Sequence, residues 1–90
     1  MKIIITLEMA VFVPFDQTTL GNHLEELKYQ YSLSSSNGSF TVEVQMHNSD
    51  PNTYEFAKER GYVEGLVEGI LRGRGRVITK QRVLWGVDPL

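Results

Sequence analysis

The chain has 90 residues, 41% apolar and 22% charged, with a formal net charge of −2 and no cysteine. That length and balance describe one globular domain and exclude a disordered tail, a disulfide scaffold, a thiolate metal centre and bulk electrostatic capture of nucleic acid. A cysteine-free chain suits a reducing compartment, so the cytoplasm is the expected location.

The first segment, MKIIITLEMAVFV, reads as a strand over residues 2–13. Ile3, Ile5, Leu7, Met9, Val11 and Val13 share one face; Ile4, Ala10 and Phe12 share the other, the pattern of a largely buried strand. Glu8 interrupts the run and no small-residue cleavage pattern follows, which argues against a signal peptide. No run reaches the roughly 18 apolar residues of a membrane span, so no membrane partner is expected.

Pro14 ends the strand, and a helix is predicted to follow, with Asp16 as its cap and Phe15 and Leu20 as a hydrophobic staple. Leu20, Leu24, Leu27 and Tyr31 recur at helical spacing, placing its end near Ser32. The stretch SLSSSNG then supplies turn residues, Asn37-Gly38 being the strongest turn signal in the chain. In SFTVEVQMH, Phe40, Val42, Val44 and Met46 alternate with Thr41, Glu43, Gln45 and His47, so this strand has one apolar and one polar face. Asp50 and Pro51 are expected to cap and open a second helix that closes on Gly73, and RVITKQRVLWGV reads as a last strand or a tight hairpin about Lys80-Gln81.

The resulting order is β-α-β-α-β in a single two-layer domain over residues 1–90, of α/β class with α+β as the alternative. Both helices are expected on one face of a three- or four-stranded sheet. A strand that returns through a helix ordinarily lies parallel to the one before it.

The second helix carries a glycine at every fourth position: Gly61, Gly65, Gly69 and Gly73. At about 100° per residue, Phe56, Val63, Leu66, Val67, Ile70 and Leu71 form its apolar arc. Gly61, Gly65 and Gly69 fall opposite, flanked by Glu64, Glu68 and Arg72 on one side and by Lys58 and Tyr62 on the other. Three exposed helical glycines cost about 3 kcal/mol relative to alanine. Within one chain, a break at Gly61 or packing of the first helix on this face would explain them. Otherwise they are neutral drift, or they form a groove for close approach of a second copy, a dimer being the first expectation, or of another protein. Gly61, Tyr62, Glu64, Gly65, Glu68, Gly69 and Arg72 are the candidate interface. A non-enzymatic accessory or inhibitor protein, of the kind phages and mobile elements carry, fits this pattern.

Charge is unevenly spread: residues 1–50 hold six acids against two bases, and residues 51–90 hold seven bases against five acids. Arg72, Arg74, Arg76, Lys80 and Arg82 make a second candidate, a site for the phosphate of a nucleotide or nucleic acid. It follows a helix C-terminus, whose dipole disfavours anions, and no phosphate-loop or dinucleotide motif is present. The only histidines are His23, with Glu26 one turn on, and His47, near Asp50. A third possibility is an enzyme using His47, but no catalytic set, metal site or cofactor site can be assigned. Trp85 reads as a core residue of the last strand.

Overall fold

A computed structural model of the chain describes residues 1–9, 17–36, 39–73 and 78–86. The elements are β1 (Lys2–Met9), α1 (Gln17–Glu26), β2 (Tyr31–Ser36), β3 (Ser39–Gln45), α2 (Tyr54–Gly73) and β4 (Ile78–Gly86). One sheet of four strands runs β2-β3-β1-β4, and every neighbouring pair is antiparallel. This is the connectivity of the split βαβ, or ferredoxin-like, motif.

The class is therefore α+β, and the predicted five-element order lacks one strand. β1 and β2 do run parallel across the α1 crossover, as do β3 and β4 across α2, but each pair has a strand inserted between its members. The crossover rule survives, while the expected parallel neighbours do not. The missing strand is β2, whose serines read as turn residues although Tyr31 and Leu33 alternate with Ser32 and Ser34. Its register against β3 pairs Ser36 with Ser39, leaving residues 37 and 38 as the connection. The Asn37-Gly38 turn itself lies outside the described residues.

α1 ends about six residues before its predicted limit, at Glu26 rather than near Ser32. The Tyr29 amide donates to the Leu24 carbonyl at 2.9 Å, and the Lys28 amide donates to that of Glu25 at 3.0 Å. With Lys28 at φ 66°, this is a Schellman motif that closes the helix with lysine in the position glycine usually takes. The same closure turns Tyr31 into the next strand. The Asp16 cap, the Phe15 staple position and residues 10–13 of the predicted first strand lie outside the described residues.

α2 is one unbroken helix of 20 residues. Its cap is Thr53, whose Oγ1 accepts the Phe56 amide at 3.2 Å. Asp50 and Pro51 instead form the preceding turn, where the Asp50 carboxylate accepts the Asn52 amide at 3.0 Å. A threonine already bonded to the Asp50 carbonyl, at 2.9 Å, is the better placed of the two polar side chains.

Ile3, Ile5 and Leu7 of β1, Phe40, Val42 and Val44 of β3, Leu20 and Leu24 of α1, and Phe56, Val63, Val67 and Leu71 of α2 form one buried cluster. Both helices thus cover the same sheet face, as the pattern predicts. Ile4 and Thr6 are half-buried, so β1 is fully buried on one face only. The β4 register sets Trp85 opposite Ile3.

Candidate interaction face on helix α2

Gly61, Gly65 and Gly69 are exposed, and among the described residues a Cβ built on any of them meets nothing within 4 Å beyond its own helix. The helix does not break at Gly61, and α1 does not pack on the row. Both explanations internal to one chain therefore fail. The fold leaves about 1 kcal/mol per exposed glycine uncompensated.

The same face carries two tyrosines. Tyr54 is 76% exposed and Tyr62 54%, the large exposed hydrophobics among the described residues. From about 100° per residue, Tyr54 falls some 20° and Tyr62 some 60° from the centre of the glycine row. A bare backbone strip edged by exposed aromatic rings combines a route of close approach with the residue type that anchors interfaces.

The acidic flank is neutralised within the helix. Arg60 Nε lies 2.8 Å from Glu64 Oε1, and Arg72 Nη2 lies 2.7 Å from Glu68 Oε1, both four residues apart. Arg72, exposed on the last turn, also complements the helix dipole. Glu64 and Glu68 are thus held in place beside the row.

Of the basic candidates, only Arg72 has its side chain among those the structure describes. Arg72 is engaged with Glu68, Arg74 and Arg76 lie outside the described residues, and Lys80 and Arg82 stand in β4 opposite Glu8 and Thr6. His23 is exposed on α1. Among the described residues no group of three potential metal ligands occurs, and no helix is long and apolar enough to cross a membrane.

A polar cluster invisible in the sequence ties α2 to the rest of the domain. Glu59, with a side chain only 9% exposed, accepts at Oε2 from the Tyr29 hydroxyl at 2.8 Å and the His47 amide at 3.0 Å. Its Oε1 accepts from the Asn48 amide at 3.0 Å and the Asn48 side chain at 2.8 Å. Partial burial pushes the Glu59 pKa up, but the Asn48 and His47 amides and the two side-chain donors outweigh it, leaving the carboxyl below its ordinary value. Burial, reinforced by the hydrogen bond to Glu59, pushes the Tyr29 phenol well above its ordinary value.

His47 belongs to this cluster rather than to Asp50. Its ring stacks on Tyr29 at 4.1 Å between centroids, with Nδ1 3.5 Å from Glu59 Oε2 and Nε2 3.2 Å from the Lys28 carbonyl. A carboxylate with four donors is a poor proton acceptor, so the geometry fits a clamp joining the α1 cap, the end of β3 and α2. The only sequence trace of it was an acid, Glu59, on the apolar side of the helix.

No protein-family model matches the chain, and neither curated proteins nor solved structures give a match, so the reading of this face rests on its own geometry.

Proposed function

We propose that this chain is a protein-interaction module whose binding surface is the outer face of α2. Gly61, Gly65 and Gly69 let a partner backbone approach, Tyr54 and Tyr62 anchor it, and the paired Glu64, Glu68 and Arg72 border it. The observation that carries this reading is the open space over all three glycines, which none of the described residues fills. Such a module acts by occupancy, masking or joining surfaces rather than by chemistry, in keeping with an accessory or inhibitor protein.

The test places a photo-crosslinking benzoylphenylalanine at Tyr62. Irradiation in extract of the native host should give one discrete adduct, either to a second copy or to another protein, and Gly65→Leu should abolish it while leaving the circular dichroism spectrum unchanged. No discrete adduct, or an adduct indifferent to Gly65→Leu, would refute the reading.

A further inference from the structure

His47 sits where the α1 cap, the end of β3 and α2 meet, and both of its ring nitrogens face acceptors. Nε2 lies 3.2 Å from the Lys28 carbonyl and Nδ1 lies 3.5 Å from Glu59 Oε2, with the ring stacked on Tyr29. A neutral imidazole has one N–H and one lone pair. With the proton on Nε2, the Nδ1 lone pair points at the Glu59 carboxylate. With the proton on Nδ1, the Nε2 lone pair points at the Lys28 carbonyl. Only the imidazolium, protonated on both nitrogens, leaves no acceptor facing an acceptor.

Most of the charge around the ring acts in the same direction. From α2, Glu59 stays a carboxylate through the neutral range, because its four donors hold it below its ordinary value. From the connection between α1 and β2, Tyr29 faces the ring as an uncharged phenol, kept so by burial and by its bond to Glu59. Tyr62, one turn beyond Glu59 on α2, acts on that phenol. The carbonyl at Nε2 belongs to the turn that closes α1, so an imidazolium there also meets the negative end of the helix dipole. Opposing these is the Lys28 ammonium, on an exposed side chain where water and salt screen it. On the segment that carries His47, the exposed Asp50 carboxylate is turned to the Asn52 amide.

We propose that His47 is a proton-operated latch: its imidazolium fastens the α1 cap to α2 and to the end of β3, and loss of the proton releases one of its two contacts. The fold favours the charged ring, so the contribution is present on the acid side of the ordinary histidine value, roughly 6.5, and is lost as pH rises above it. The carbonyl it grips belongs to Lys28, whose left-handed φ of 66° is unfavourable for lysine, so the α1 end of the junction is the end that loosens. The latch is independent of the outer face of α2.

Urea denaturation at about pH 5.5 and about pH 8.5, on either side of the histidine range, tests this with wild type, His47→Gln, Glu59→Gln and the double variant. Glutamine keeps a hydrogen-bond donor and does not titrate. The His47 side chain is 52% exposed, so its replacement leaves the domain folded, as circular dichroism at each pH would establish. The ratio of wild-type to His47→Gln folding constants should be about threefold to tenfold larger at the acid pH. In the Glu59→Gln background, where the carboxylate is gone, that pH effect should shrink. His23→Gln, at the other histidine, should keep the wild-type profile. A ratio equal at both pH values, or larger at the alkaline one, would overturn the proposal. So would a pH effect left intact by Glu59→Gln, or one removed by His23→Gln.

Discussion

Replacing the exposed glycines of α2 by alanine should stabilise the isolated domain, and the size of the effect follows from the geometry. At Gly61, Gly65 and Gly69 the new methyl enters open space, so no steric term opposes the gain in helix propensity. That gain is about 1 kcal/mol per site, or about 3 kcal/mol for the triple variant. For a domain of this length each kilocalorie raises Tm by about 4–8 °C. Gly21→Ala provides the contrast within the same molecule, because a Cβ there would lie 2.7 Å from the Tyr31 hydroxyl. That hydroxyl donates to Glu25 at 2.7 Å, and displacing it offsets the propensity gain. Thermal and urea denaturation of dilute protein would measure the three single α2 variants, the triple variant and Gly21→Ala. A fall in Tm for the α2 alanines, or a Gly21→Ala gain equal to theirs, would refute the reasoning. Because a face optimised for contact trades stability for approach, the stabilised triple variant should also lose the Tyr62 adduct.

Lys28→Gly should stabilise by about 1 kcal/mol, read by urea denaturation, because lysine sits at the left-handed position of the α1 Schellman motif, where glycine carries no side-chain strain. Glu59→Ala should cost about 2–3 kcal/mol by the same assay, since it strands the Tyr29 hydroxyl, two backbone amides and the Asn48 side chain in a largely buried site. Glu59 has a depressed folded-state pKa, so its contribution is present above the ordinary value of 4.5 and is lost as pH falls through the lower folded value. Glu59→Gln should therefore flatten that acid limb of stability against pH. Tyr29 has the opposite shift: its raised phenol stabilises fully below the ordinary value of 10.0, and the contribution is lost as pH climbs above it. Phenolate absorbance should show a late-titrating tyrosine in the native protein that vanishes in Tyr29→Phe and in urea.

Periodicity alone was enough to identify α2, β1 and β3, and to collect their apolar residues on the faces that become the core. Those readings succeed because an amphipathic segment has one direction in which burial is favourable, and the 3.6 and 2.0 repeats display that direction locally. The glycine row was legible for the same reason: it lies opposite the apolar arc of its own helix. β2 escaped because Ser34 to Ser36 have turn chemistry, and what makes them a strand is the hydrogen-bond ladder offered by β3. The end of α1 escaped because Lys28 adopts a conformation its side chain disfavours, stabilised by backbone bonds back to Leu24 and Glu25.

What tertiary structure decided was where each polar group finds its partner. Tyr29, His47, Asn48 and Glu59 are separated by up to 30 residues, and no spacing rule joins them; only the docking of α2 beside the α1 cap does. The same is true of emptiness. The sequence determined that Gly61, Gly65 and Gly69 share a face, but whether another element covers that face depends on how the helices sit on the sheet, a choice made by the whole core at once.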